Sequence, residues 1–316
     1  MSYRVVRKAE YCIVGKDMLG DLEYFSVFLS RDSNFILELE PHDCNKIQSP
    51  EMRIDSTLPL RAADIKITDN EELLKWVSNY GLPLPDSWDQ IFILHENQEY
   101  LLKNGRRVQR FISLDLCRSF LDDVKAAVQL WEGIVKQDYD LLRKTIKFAN
   151  GEISLKNKFA HKIYPHRNIK ELKNEYSQDY FDENEKFIFI SRAVLSQIVN
   201  NGLRLFSARQ SIELAKEYEL SNLLPDKFIS SIDADNPMVY IWSTIAKELC
   251  GNKKNPWHYI RCVDCRVWVD LNEKHRRRNR KRCDICAEEW RKLQGRERAA
   301  RQRERDKQKT SEQCKA

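Results

Sequence analysis

The chain has little of what breaks regular structure. Nine Gly and nine Pro in 316 residues, with 32% charged residues, point to a soluble, helix-rich protein. No stretch approaches the roughly 18 uninterrupted apolar residues that a membrane helix needs, which excludes a helical membrane span and leaves no membrane partner expected. The opening residues, Met1-Ser-Tyr-Arg-Val-Val-Arg-Lys8, lack an apolar signal core. There is no G-x-S-x-G elbow and no H-E-x-x-H motif. Gly15-Lys16 lacks the preceding glycine and the following Ser or Thr of a phosphate-binding loop. His161 and His166 form an H-x₄-H pair with no further ligands in view. No internal repeat is visible. Triads are assembled in space, so the missing motifs do not by themselves exclude an enzyme.

What is present is concentrated near the C-terminus. Cys262-Val-Asp-Cys265 and Cys283-Asp-Ile-Cys286 are two C-x₂-C pairs separated by 17 residues. Each such pair bends into a knuckle that aims two thiolates at one point, and two knuckles complete a tetrahedral Zn²⁺ site. The intervening 17 residues are enough for a β-hairpin that returns the second pair to the first. The rival reading, two thioredoxin-type redox pairs, needs a βαβ context that neither pair has. The other cysteines, Cys12, Cys44, Cys117, Cys250 and Cys314, are scattered without a disulfide framework. Together with thiolate ligands they favour a reducing cytoplasm.

The charge is equally uneven. Residues 261–316 hold 19 Lys and Arg against 10 Asp and Glu, while the other 260 residues hold 35 against 38. A dication held by four thiolates accounts for about two of those positive charges, leaving about seven. Such a concentrated excess points to a polyanionic partner, most often nucleic acid. The densest run is Arg276-Arg277-Arg278-Asn279-Arg280-Lys281-Arg282, between the two knuckles. Arg276, Arg277, Arg278, Arg280 and Lys281 are the candidate phosphate contacts. The bland alternatives are compensation of the thiolate charge and a solvated tail.

The chain reads as an α+β protein with a strand-containing start, a helical middle and a small zinc module. Residues 1–110 mix strands and helix, 111–251 are helical, 252–292 form the zinc-binding module and 293–316 a basic tail. Two apolar runs, at 24–29 and 35–40, predict a hairpin. Thr68-Asp-Asn-Glu71 reads as a capping box opening a helix that Gly81 closes. Apolar residues stepping by three and four from Leu116 to Ile146 predict one helix over 113–148, with Ser113 as N-cap and Trp131 in the core. Gly133 lies inside that pattern, and Asn150-Gly151 ends it. Asp122-Asp123, Asp138 and Asp140 are expected on its solvated flanks. Ser191 is a candidate N-cap for a further helix, residues 211–218 predict another, and Asn236-Pro237 marks a strong helix start. Val267-Trp-Val269 reads as a strand. Beyond Gly295 the sequence is polar on every side, marginal for a free helix.

The segment Ile241-Trp-Ser-Thr-Ile-Ala-Lys-Glu-Leu-Cys-Gly251, then Tyr259-Ile-Arg-Cys262-Val-Asp-Cys265-Arg-Val-Trp-Val-Asp270, a basic stretch and Arg282-Cys283-Asp-Ile-Cys286 resembles the bacterial CGNR-type zinc-finger proteins and their relatives over about residues 240–310. The resemblance implies Cys262, Cys265, Cys283 and Cys286 as zinc ligands, in a treble-clef or ribbon-like module, and a DNA-binding regulator as the function. Cys286 is followed by Ala-Glu-Glu where the named motif has Gly-Asn-Arg. The leading expectation is therefore a cytoplasmic, zinc-containing nucleic-acid-binding protein whose N-terminal part senses, dimerises or recruits; a homodimer is compatible with it. An enzyme or toxin-like effector with its site in 60–250, or a protein–protein adaptor, are the competing classes.

Overall fold

The computed structural model describes residues 3–5, 10–15, 34–39, 52–85, 108–149, 152–160, 183–206, 211–214, 228–231, 236–251, 257–272 and 280–313. The chain divides into two units, Met1–Trp257 and His258–Ala316. It is mixed α and β. The described residues contain seven helices, and every strand pair among them is antiparallel.

The first unit is built on a three-stranded sheet. Strand β2 (Glu10–Gly15) pairs with β3 (Asn34–Leu39), and β3 with β5 (Val108–Ser113). The central strand buries Phe35, Ile36, Leu37 and Leu39 almost completely. Glu38 is also buried, at 5% exposure, and stands opposite Arg110 in register. The guanidinium answers it with two bonds, 3.0 Å from Nε to Oε2 and 2.9 Å from Nη2 to Oε1. A carboxylate on a central strand is tolerated because a bidentate partner faces it. The expected hairpin between 24–29 and 35–40 is overturned here. Both edges of β3 are already taken by β2 and β5, strands distant in sequence. Residues 24–29 themselves lie outside the described residues. A separate strand pair joins β1 (Tyr3–Val5) to β4 (Met52–Ile54).

Two short helices follow. In α1 (Leu58–Ala63), Asp55 Oδ1 accepts from the Thr57 N–H at 2.9 Å and from Arg61 Nη2 at 3.0 Å, tying down the first turn. Helix α2 (Asn70–Tyr80) is capped by Asp69 rather than Thr68; its side chain accepts from the Glu71 and Glu72 N–H groups. The Gly81 N–H closes the far end on the Val77 carbonyl.

Strand β5 passes directly into α3 (Leu114–Lys136), with Ser113 as N-cap as the sequence indicated. This helix touches α1, the sheet and three later helices, so it is buried on more than one side. That explains why Ala126 and Ala127 are fully buried beside Phe120, Val124 and Trp131. It also overturns the expectation for Asp122 and Asp123, which are buried. Asp122 accepts from Asn157 Nδ2 at 3.0 Å and from the Phe159 N–H at 2.8 Å, clamping the 157–160 segment. Arg118 reaches back to the Ile67 carbonyl and to Asn70 Oδ1, fixing the start of α2 on α3.

The predicted single helix over 113–148 is two helices and a strand. Gln137 adopts a left-handed conformation, φ 54°, and Asp138 caps α4 (Tyr139–Thr145) with a 2.9 Å bond from the Leu141 N–H. Helix α4 folds back on α3, and a Cβ on Gly133 would lie 2.6 Å from Leu142 Cδ2. Gly133 is thus the residue that admits the returning helix. The apolar period survives the break because both helices face one core. Ile146 then begins β6 (Ile146–Ala149), which pairs with β7 (Glu152–Leu155) across Asn150-Gly151.

Helix α5 (Glu183–Leu205) starts eight residues before Ser191. Ser191 is therefore interior rather than a cap, fully buried, with its hydroxyl donating to the Phe187 carbonyl at 2.8 Å. Residues 211–218 were expected to be helical. Instead β8 (Ser211–Leu214) pairs with β9 (Phe228–Ser231), a partner that local periodicity does not reveal. Helix α6 (Pro237–Cys250) begins as the sequence indicated: Asn236 Oδ1 accepts from the Met238 N–H at 3.0 Å, with Pro237 at the first position. The Asn236 amide also donates to the Leu84 carbonyl. Met238, Ile241, Trp242 and Ile245 are buried, whereas Leu249 of the same stripe is 37% exposed.

The second unit contains the hairpin β10 (Tyr259–Arg261) and β11 (Trp268–Asp270), then α7 (Asp284–Gln313). The tail that looked marginal as a helix continues as one for 30 residues. Pairs four residues apart, Glu288 with Lys292 and Glu297 with Arg301, support it without a buried face. Among the described residues no helix is long and apolar enough to cross a membrane.

One glycine gives a direct test of the packing between α5 and α6. A Cβ on Gly202 would meet the Trp242 ring at 2.4 Å, a contact that real Cβ atoms do not make. Gly202→Ala should destabilise the first unit by about 1–3 kcal/mol. Gly295→Ala, where a Cβ meets nothing within 4 Å, should leave the first unit unchanged. Denaturant unfolding followed by tryptophan fluorescence distinguishes the two.

Candidate metal centre

The first knuckle grows out of the β10–β11 hairpin. Tyr259 stands opposite Asp270, and Arg261 opposite Trp268, so Cys262 leaves the strand just beyond the last pair. The chain then turns tightly. The Cys262 N–H donates to the Val267 carbonyl at 2.9 Å, and the Arg266 N–H to the Cys262 carbonyl at 3.0 Å. Arg266 takes φ 62°, the left-handed turn that closes the knuckle at some backbone cost for a non-glycine residue. The second pair is brought over by one backbone bond, from the Val263 N–H to the Lys281 carbonyl at 3.0 Å. Cys283 sits immediately before α7, and its carbonyl accepts from the Ala287 N–H at 2.9 Å. Its sulfur receives the Cys286 N–H at 3.5 Å. One knuckle is thus a hairpin turn and the other the first turn of a helix.

The four sulfurs all lie within 4.8 Å of one another, with Cys265 Sγ and Cys283 Sγ at 3.6 Å. A tetrahedral thiolate centre with bonds near 2.3 Å places its sulfurs about 3.8 Å apart. The geometry fits a metal ion, and these four residues can hold one. All four are free thiols; Cys262 is buried, Cys265 exposed, and Cys283 and Cys286 half-buried.

The thiols do not ionise alike. Burial raises Cys262, but N–H groups of Cys265, Cys283 and Asp264 point at its sulfur, outweigh burial and bring it down to about 6. For Cys265, the Val267 N–H favours the thiolate; burial and hydrogen bonding with Cys262 and Cys283 prevail and leave it raised. Cys286 is raised by hydrogen bonding with Cys283 and then Cys265. Cys262 gives up its proton readily, while Cys265 and Cys286 resist. A cation removes that resistance, because each thiolate is then stabilised by the ion.

Around the sulfurs, Arg282 Nε lies 2.6 Å from Asp264 Oδ2, linking the second pair's approach to the first knuckle. The same guanidinium lies 4.8 Å over the Trp290 ring of α7. His258 Nε2 is 3.4 Å from Asp270 Oδ1 at the open end of the hairpin. Among the described residues of this unit, Tyr259, Cys262 and Val269 are the buried apolar side chains. Three are few for a unit of this size, and an ion held by the four cysteines would supply much of its folding energy.

Of the candidate phosphate contacts, Arg276, Arg277 and Arg278 lie outside the described residues. Arg280 is engaged internally: its guanidinium bonds Asp284 at the start of α7 and the Arg282 carbonyl. Lys281 is exposed. His161 and His166 lie outside the described residues. The side chains of α7 from 288 to 305, part of the stretch read as a basic tail, are nearly all exposed.

The fold and site together define a protein with a four-cysteine cluster able to hold a metal ion on a small basic C-terminal unit. No family model, curated protein or solved structure matches the chain.

Two outcomes follow. Native mass spectrometry should find one divalent ion per chain, lost when Cys283 and Cys286 become Ser; retention by that double variant would exclude a four-thiolate centre. Chelation should remove hydrogen-exchange protection from the amides of β10, β11 and α7 while leaving those of α3, α5 and α6 protected. Loss of protection in α3 would show that the first unit does not stand on its own core.

Proposed function

We propose that this chain is a cytoplasmic, zinc-containing nucleic-acid-binding protein, with regulation of transcription as its role. The observation that carries the reading is the coincidence of a four-thiolate centre with the chain's whole cationic excess. The ion is Zn²⁺, since four thiolates in a closed tetrahedral set suit it best. A hairpin knuckle followed by a helix whose first turn carries the last ligand supports the treble-clef reading of this module. The resemblance of residues 240–310 to the CGNR-type zinc-finger proteins supports the same function.

Arg276, Arg277, Arg278 and Lys281 contact phosphates on this reading, and Arg280 anchors the end of their stretch through Asp284. Metal coordination fixes both ends of the basic run, so it binds a polyanion with less ordering cost than a free tail. Phosphate contacts carry no base information, so sequence preference from this stretch is weak.

Binding to duplex DNA should fall steeply with salt, with a log–log slope of about −0.9 per phosphate neutralised. Replacing Arg276, Arg277 and Arg278 together by Ala should flatten that slope and leave metal content intact. A triple variant that binds duplex and single strands as tightly as the parent would assign these arginines to offsetting thiolate charge, and would favour an adaptor or enzyme.

A further inference from the structure

Helix α7 carries a sidedness that the basic run before it does not. A helix of 30 residues rises about 45 Å. Arg291, Arg298 and Arg305 recur every seven residues, a spacing that drifts only about 20° per step around an α-helix. They form one row. Arg296 and Arg303, also seven apart, form a second row roughly 150° away at 3.6 residues per turn. The narrower face between the rows carries Lys292, Gly295, Ala299 and Gln302. The opposite face carries Glu297 and Glu304, the acidic residues between 291 and 305.

The side chains in both rows are exposed. Arg291 Nε donates to the Ala287 carbonyl at 3.2 Å, one turn back. Arg296, Arg298, Arg303 and Arg305 form no ion pair among the described residues. The cations outside the rows behave differently: Lys292 is 2.8 Å from Glu288, and Arg301 is 3.6 Å from Glu297. Between 291 and 305 the helix therefore presents two cationic rows flanking a face on which Gly295 and Ala299 are small, with Glu297 and Glu304 turned away; Asp284, Glu288 and Asp306, nearer its two ends, fall on the same side as that face. A Cβ on Gly295 would meet nothing within 4 Å, so that face is open.

We infer that α7 is a groove-binding helix that lies in the major groove of B-form DNA, its two arginine rows meeting the phosphates of the two strands. This rests on the nucleic-acid reading above and names the form of the partner and a second contact surface. The B-form major groove is about 12 Å wide and admits an α-helix, whereas the A-form groove of duplex RNA is too deep and narrow to do so. Gly295 and Ala299 between the rows allow the backbone to approach the base edges at the middle of the helix. A single strand has no pair of phosphate rows for the two sides to meet.

The test uses the full metal-loaded chain with a 20-base-pair DNA duplex, the duplex RNA of the same sequence and the single strand, with salt varied. Metal content and helical circular dichroism serve as controls. Replacing Arg291, Arg298 and Arg305 by Ala should flatten the duplex-DNA slope by about 2.7, and replacing Arg296 and Arg303 by about 1.8. Ala299→Trp keeps every charge but fills the face between the rows. It should weaken duplex-DNA binding at least tenfold, while Ala300→Trp, about 100° further round, leaves it within twofold. Binding to the single strand should not respond to either Trp. If the parent binds DNA steeply but both arginine-row variants keep its slope, or the two Trp variants behave alike, the groove assignment is overturned and contact rests with residues 276–282. Duplex RNA bound as tightly as duplex DNA overturns it as well. No binding to any of the three at low salt overturns the nucleic-acid reading itself.

Discussion

The second unit depends on bringing four sulfurs to one point. Its hairpin has three residues in each strand, and its described apolar core is Tyr259, Cys262 and Val269. Hydrophobic burial on that scale does not offset the entropy of ordering a hairpin and a long helix. Backbone bonds set the approach, through Cys262 to Val267 and Val263 to Lys281. Charge-assisted contacts such as Arg282 with Asp264 align the two halves. These contacts sit at the surface and are individually weak. Coordination of an ion by the four sulfurs would be the one interaction strong enough to make them cooperative. The first unit has the opposite character, a core organised around α3 with Trp131, Trp242, Phe35 and Phe206 among its large buried side chains.

Features encoded within four residues were legible in the sequence. The two C-x₂-C pairs, Ser113 as a cap, Asn236-Pro237 as a helix start and the strand at 268–270 were of this kind. So was the apolar stripe of α3, because side chains three and four apart share a face wherever the helix goes. Features that depend on distant partners were not. Strand β3 has neighbours at 10–15 and 108–113, and no local pattern selects them over 24–29. Strand β8 exists because residues 228–231 lie alongside it. The break after Lys136 was hidden because α3 and α4 keep one apolar period while the chain reverses. Asn150-Gly151, the strongest two-residue hairpin signal, was present and marked the β6–β7 connection.

The buried carboxylates show a second limit. Asp122 and Asp123 look like the polar flank of an amphipathic helix, and so they would be if α3 had one buried face. It has several, so Asp122 becomes an acceptor for the 157–160 segment and Glu38 faces Arg110 within the sheet. Composition gives the number of charges but not which of them face another element. The same holds for Arg280, which sequence alone places with its exposed neighbours and the structure ties to Asp284.

Cys283 and Cys286 flank the start of α7, where the first N–H groups of any helix lack partners and attract negative charge. Four thiolates around a dication carry net negative charge at that end. The costly step in making a helix is its first turn, and here that turn contains two of the four sulfurs. An ion bound there would therefore set more than local order: it would fix the stiffness of the helix that follows. With the turn in place the 30 residues of α7 are a rod of about 45 Å. Without it they would behave as a charged coil with an end-to-end distance of roughly 30 Å. The reach of this terminal helix would in this sense be a readout of metal occupancy.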